Sequence, residues 1–364
     1  MQVRAHWMRG GTSKCWVFEE NVLNDVEMSV DQILLRAFGS PDVRQLDGVG
    51  GGTSTTSKAV IVSKSEDVDF DIRFKFAQVG IDEAKVDWGS NCGNCSATVG
   101  LFAIEQGWVK AEHPQTRVRV LNENTNQYIV QTIETPEGEL PSAPSEMMLG
   151  AHFGGHKVVL GFKNPEGRTT GNLFPSGEKV EFIKTRGSSF EITMIDAGAP
   201  TVLVSAEDLG LVPECYSDWT TSILDRLELL DSIRREAAVS MGLSNTPEAA
   251  ERAIPKIGIM SDSPDGDSDI QVLMLSMGKP HPAIPITASV AITKAAKTPG
   301  TVAHFKRANS HNLRIKTPVG VIETNLTEGD DGTEIGVVRT SRTIADASLF
   351  IPEDEFDFKT IEVA

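Results

Sequence analysis

The sequence predicts an α/β chain of the α+β kind, built as two similar halves, and three observations carry that reading. At 364 residues the chain is long enough for two domains of about 150 residues each. Its strand-like apolar runs are short and separated by many turns, in keeping with 32 Gly and 18 Pro. Each half also contains one small-residue helix whose first turn grows out of a polar loop, NCGNCSATVG in the first half and PHPAIPITASV in the second. No aligned repeat is visible; what recurs is the plan.

Taken in order, Val3 to Phe18 reads as strand, glycine-rich turn and strand, with Gly10, Gly11, Thr12 and Ser13 at the tip. Asp31 to Phe38 carries apolar residues at helical spacing and stops at Gly39-Ser40-Pro41. The polar loop Gly50–Ser57 feeds a strand over Ala59–Val62. A second polar loop, Ser90–Asn94, opens a helix that carries Val99, Phe102 and Ala103 and ends at Gly107. Strands are expected at Arg117–Leu121 and Tyr128–Ile133. The most linker-like stretch, Glu134–Glu146, follows them and sets the expected domains at 1–145 and 146–364, with the tail from about residue 346 returning to the first. The second half has strands near Lys157–Phe162, Val180–Ile183, Phe190–Ile195 and Val202–Val204, and the loop DAGAP at Asp196–Pro200. A long amphipathic helix is expected over Thr220–Met241, its apolar face made by Leu224, Leu227, Leu230, Ile233 and Ala237. The last helix opens at Pro285, Thr287 and Ser289.

Charge and composition narrow the function. Lys and Arg total 34 against 51 Asp and Glu, a net charge of −17 that repels phosphate backbones and argues against nucleic-acid binding. The same field repels anionic ligands, so an acidic substrate needs a local cluster of donors. No apolar run reaches the roughly 18 residues of a membrane span, and MQVRAHWMRGG lacks the apolar stretch of a signal peptide. The chain reads as cytoplasmic, with no membrane contact. Its four cysteines, Cys15, Cys92, Cys95 and Cys215, are too few for a disulfide scaffold and do not form two CxxC pairs for zinc. The seven histidines contain no HExxH, and DGDSD (Asp265–Asp269) lacks the Gly and distal Glu of a calcium loop. No metal and no cofactor are expected.

Thiol and amine chemistry remain. The first turn of a helix presents unpaired backbone N–H groups and a partial positive charge, a cradle for a carboxylate or a thiolate. Cys92 sits there, and such a position can lower a thiol's pKa; it is expected to be the most exposed and acidic of the four. Cys95, Cys15 and Cys215 read as small buried hydrophobes. Lys58 follows glycines and hydroxyls and precedes an apolar strand. A desolvated lysine there can act as a general base, and a snorkelling surface lysine is the ordinary alternative. The P-loop reading of GGGTSTTSK fails because Ala59, not Ser or Thr, follows the lysine. Three loops, Gly10–Ser13, Gly50–Ser57 and Ser90–Asn94, supply the donors that carboxylates would require.

The ordered set MRGGTSK, DGVGGGTSTTSK, NCGN, DAGAP, PKIGIM and MGKPHPAIPITASV resembles the PrpF family of isomerases, whose members include 2-methylaconitate isomerase, methylitaconate isomerase and 4-oxalomesaconate tautomerase. The resemblance runs from Met8 to about Arg342. It implies the diaminopimelate-epimerase fold: two similar domains, each a curled, mainly antiparallel sheet around a central helix, with the active site in the cleft between them. It also implies that Lys58 and Cys92 face each other across the substrate. Two departures stand out: KTPVG (Lys316–Gly320) where relatives carry HPSG, and Cys95 where a larger aliphatic is usual. The second-half helix offers Thr287 or Ser289 and no cysteine, which argues against a two-thiol racemase.

The expected activity is therefore a cofactor-independent allylic isomerisation or tautomerisation of a small unsaturated di- or tricarboxylate, of the aconitate or methylaconitate type. 4-Oxalomesaconate tautomerisation and methylitaconate isomerisation are the alternatives within the class, and a non-catalytic carboxylate-binding protein is the alternative outside it. Lys58 is the expected base and Cys92 the opposing acid. Substrate binding falls to Arg9, Gly10, Thr12, Ser13, Thr53, Ser54, Asn91, Gly93 and Asn94, with His281 and Ser289 from the second half. The partner is a small polycarboxylate, and a homodimer is the one assembly left open.

Overall fold

The computed structural model describes residues 1–24, 28–89, 91–144, 146–305, 312–330 and 332–353. The chain divides into two compact units. One is made of 1–124, 129–160 and the chain from Arg339 onward; the other is made of 125–128 and 161–338. The first unit thus reaches past the linker-like Glu134–Glu146 to Leu160. Its C-terminal return begins at Arg339, ahead of residue 346, because the strand Gly332–Phe350 supplies the outer neighbour of the N-terminal strand.

In the first unit, Gln2–Gly10 pairs antiparallel with residues 341–350 on one side and with Ser13–Glu19 on the other. Ser13–Glu19 then runs parallel to Lys58–Lys64, which pairs antiparallel with Ile72–Val79, which in turn runs parallel to Gln115–Asn122. The helix Gly93–Glu105 packs on five of these strands. Every residue from Gly93 to Ala103 is buried, which explains its small side chains: a helix wrapped by a sheet has no solvent face on which to place charge. On the sheet's other side Val30–Phe38 is an ordinary amphipathic helix, started by the Ser29–Gln32 capping box and stopped by left-handed Gly39. Its Ile33, Leu34 and Phe38 share a core with Val3, Trp16, Phe18 and Ile61.

The second unit repeats this pairing order. Ser188–Ala197 is antiparallel to Ala199–Ser205, which is parallel to Lys256–Asp262; that strand is antiparallel to Ile270–Ser276, which is parallel to Asn312–Thr317. Its buried helix is Ile286–Lys297. A side-chain clamp is repeated too. Arg119 Nη2 lies 2.7 Å from Asp71 Oδ1 in the first unit, and Arg314 Nη2 lies 2.8 Å from Asp269 Oδ1 in the second. In both, the aspartate also accepts the arginine's own backbone N–H, at 2.8 Å, locking the parallel strand in register.

The long helix expected over Thr220–Met241 is broken: Trp219–Ser222 is followed by a 3-10 turn, Leu224–Arg226, and only Leu227–Ser240 is a continuous helix. Leu224 is 56% exposed at the break, while Leu230, Ile233 and Ala237 face the core as expected. No helix among the described residues is long and apolar enough to cross a membrane.

Candidate active site

The residues singled out in the first half gather in the first unit, around the start of the buried helix. The hairpin tip presses on it directly. Gly11 has φ +53°, and a Cβ at Gly10 or Gly11 would collide with the backbone carbonyl or the carboxamide of Asn94, so this turn requires glycine. Asn94 Nδ2 donates to Thr12 Oγ1 at 3.3 Å. The tip is tied to the C-terminal strand by Gly11 N–H donating to the Thr340 carbonyl at 2.9 Å. Ser13 is buried at the start of the return strand.

Arg9 supports this turn. Its Nη1 donates to the Gly11 carbonyl at 3.2 Å, the Thr340 carbonyl at 3.2 Å and Thr340 Oγ1 at 2.8 Å.

A buried glutamine organises the neighbouring loop. Gln45 donates to Ser40 Oγ at 3.0 Å and to Ser57 Oγ at 2.7 Å, and its Oε1 accepts from Gly52 N–H at 2.9 Å. The loop's hydroxyls largely serve the loop itself. Thr53 bonds Thr55 and Thr56 at 3.1 and 2.7 Å, and its carbonyl accepts from the Thr56 and Ser57 N–H groups. Ser54 is half-buried beside them.

Lys58 emerges from that loop as the first residue of its strand and is 8% exposed. Its Nζ lies 2.5 Å from Gln78 Oε1 and 4.9 Å from the centre of the Phe76 ring. Gln78 is the antiparallel partner of Lys58, and its own Nε2 donates to the Ser57 carbonyl at 2.8 Å. The carboxamide is therefore fixed at both ends, and the amine can donate to it whether charged or neutral.

Cys92 is the N-cap of the buried helix. Asn91, 3% exposed, accepts Ser96 Oγ–H at 3.2 Å through Oδ1, while its Nδ2 and Asn94 Oδ1 have no partner among the described residues. Unsatisfied buried polar atoms at a helix start mark where a polar ligand would complete the bonding.

The thiols correct an expectation. Cys92 is held well above the usual thiol range, first by its hydrogen bond with the Cys95 thiol and then by burial, with Lys58 pulling the other way. Cys95 is raised too, by burial and by contact with Cys15, and is likewise opposed by Lys58. The partial charge of the helix start does not outweigh these effects, so Cys92 rests as a protonated thiol facing a lysine. It is also only half-buried as a residue, and the exposed cysteine is Cys215.

In the second unit, Ser289 is fully buried and its Oγ donates to the Ile286 carbonyl at 2.8 Å. The hydroxyl left without a partner among the described residues at that helix is Thr287. His281 is buried, and its Nδ1 accepts the Ala283 N–H at 3.0 Å. Among the described residues no cluster of His, Cys, Asp and Glu could hold a metal ion.

Gln45, Gln78 and Arg339, whose stem reaches Gly11, are the participants the sequence reading missed. For Gln78 a signal existed: Ile72, Phe74 and Phe76 alternate with Arg73 and Lys75 as in a strand, and pairing that strand with the one begun by Lys58 would have found it.

The model of the PrpF protein family matches residues 1–352. The chain belongs to the PrpF family. It is similar to the 2-methyl-aconitate isomerase of Shewanella oneidensis, with 34% identity covering 97% of this chain and 98% of the relative. Its similarity to the 4-oxalomesaconate tautomerase of Pseudomonas putida is 34%, covering 95% of each. The crystal structure of a methylitaconate-delta-isomerase superposes with a TM-score of 0.79 at 30% identity, covering 96% of each chain. The PrpF chain described here is an enzyme of the isomerase class, and its mixed, sheet-dominated architecture is that of its structural neighbours.

Proposed function

We propose that this PrpF protein moves a double bond, or inverts its geometry, in a small unsaturated di- or tricarboxylate of the aconitate or methylaconitate type, without a cofactor. The observation that carries the reading is the pairing of a buried, carboxamide-oriented amine, Lys58, with a thiol kept protonated at a helix start, Cys92. A carbon acid next to an alkene conjugated with a carboxylate gives a delocalised dienolate. Its formation needs a base at one carbon, an acid at another and donors for the developing charge.

In this reading Lys58, in its neutral form, takes the allylic proton, and Cys92 returns a proton to the far end of the dienolate. The resulting ammonium and thiolate reset by passing one proton from nitrogen to sulfur. The first-turn N–H groups near Gly93 and Asn94, with Asn91 Nδ2, receive carboxylate oxygens. The homologues' substrates, 2-methylaconitate and 4-oxalomesaconate by name, have the functional groups this chemistry requires.

Incubation with a panel of unsaturated acids in deuterated water tests the proposal. Solvent deuterium at an allylic carbon, together with a shifted or inverted double bond, is expected. Exchange at a saturated α-carbon would make the protein a racemase, and no exchange with any acid would make it a binding protein.

A further inference from the structure

The net charge of −17 leaves open what attracts a polyanion to this unit; Arg9 gives its Nη1 to the hairpin turn, while its Nη2 is buried without a partner among the described residues. The strand paired with Gln2–Gly10 brings another arginine to the same place. Its register sets Arg342 opposite Arg9 and Ser341 opposite Gly10, and the bond from Gly11 N–H to the Thr340 carbonyl continues the pairing. Arg339 therefore comes next to the tip of the turn. A Cβ at Gly11 would lie 3.2 Å from Arg339 Cδ and would strike the Asn94 carboxamide. The arginine stem, the glycine turn and the second residue of the buried helix thus converge on one point, two residues from Cys92. The side chain is 6% exposed. Burial pulls its pKa down to about 10, which still leaves a full charge at neutral pH. Close by, Asn91 Nδ2 is a buried donor without a partner among the described residues, a second mark of a polar ligand at this helix start.

We propose that Arg339 binds a carboxylate of the substrate in forked, two-point fashion and is the reason the enzyme takes polycarboxylates rather than monocarboxylates. The inference rests on the function proposed above and assigns its charge recognition to a residue far from the glycine-rich motifs. A guanidinium fork matches a carboxylate with two parallel hydrogen bonds, which a lysine cannot reproduce.

The test is calorimetric binding of propane-1,2,3-tricarboxylate, which has no double bond to isomerise, alongside steady-state kinetics on the acid that wild type turns over. Arg339→Met should weaken tricarboxylate binding about ten- to a hundredfold, the loss expected for a hydrogen-bonded charge partner. KM should rise to match, with a smaller change in kcat, while the weak binding of a monocarboxylate such as crotonate stays as in wild type. Arg339→Lys should recover part of the affinity. An Arg339→Met protein that binds the tricarboxylate as wild type does, or that loses mono- and tricarboxylate alike, would overturn the proposal. If Arg339→Met fails to fold, an Arg339→Lys protein with unchanged affinity overturns it. Wild-type binding of the tricarboxylate without turnover of any unsaturated acid would instead sink the proposed reaction, leaving Arg339 to be judged on binding alone.

Discussion

Replacing Gln78 with Met separates positioning of the base from its chemistry. The substitution keeps the side chain's length but removes the oxygen 2.5 Å from Lys58 Nζ and the donor 2.8 Å from the Ser57 carbonyl. A hydrogen bond between neutral partners, as for the reactive amine, contributes about 0.5–1.5 kcal/mol. If that energy holds the amine in its reactive position, its loss corresponds to about two- to tenfold in kcat, with KM little changed. Lys58→Ala, which removes the proposed base, should lower kcat about 10² to 10⁴-fold. The decisive measurement is the double variant. If Gln78 acts only through Lys58, Gln78→Met should cost nothing further in the Lys58→Ala background. Rates come from steady-state turnover and from solvent deuterium uptake at the allylic carbon, with far-UV circular dichroism confirming the fold. A Gln78→Met enzyme with wild-type kcat, or a double variant much slower than Lys58→Ala alone, would refute the reasoning.

Because Cys95 is the largest influence raising the Cys92 thiol, Cys95→Val should let Cys92 deprotonate at lower pH. The alkaline limb of the kcat profile, where the acid is lost, should then move toward neutrality; a limb that stays in place or moves up would contradict the assignment. Iodoacetamide at neutral pH should modify exposed Cys215 before Cys92, and buried Cys15 and Cys95 last, as peptide mapping over time would show. Lys58→Arg should be as inactive as Lys58→Ala, since a guanidinium cannot accept a proton at neutral pH. Burial pushes Asp71 up, but the side-chain and backbone hydrogen bonds from Arg119 outweigh it and hold its pKa below the usual range. Its contribution to stability is therefore present above the unfolded carboxylate value of about 3.9 and lost as pH falls through the folded value. Melting temperatures of Asp71→Asn should accordingly converge with wild type in acid.

The proposed pair could be named from the sequence by two routes: the helix start marked Cys92, whereas the glycines and hydroxyls before Lys58 left a surface lysine open and the resemblance to the PrpF family singled it out. The acidity of Cys92 was not legible, because it is decided by its hydrogen bond with the Cys95 thiol and by burial in the folded unit, Cys95 being itself raised by burial and by Cys15 from a distant strand. Arg339 had no local signal at all; it reaches Gly11 only through a pairing across some 330 residues of chain. The two-fold plan was readable from the two small-residue helices. The helix expected over Thr220–Met241 was overdrawn, because Leu224 fits the apolar period yet lies at a break where the chain turns outward. Ser289 met a related fate: a hydroxyl in the first turns of a helix can bond back to its own backbone, as this one does.

The interleaving of the two units bears on how the chain acquires its activity during synthesis. Residues 161–338 lie in one unbroken stretch of the second unit, whereas the first unit is finished only by residues from Arg339 onward. The strand Gln2–Gly10 is made long before residues 341–350, which cover one of its edges. Closing so long a loop is slow compared with forming the local hairpins of either unit. The turn that presents Gly10 and Gly11 to the helix start is anchored by Thr340. A growing chain that already holds Lys58 and Cys92 but not yet Thr340 would therefore lack the anchor of this turn, and the geometry around the helix start would be completed only once that later segment is made.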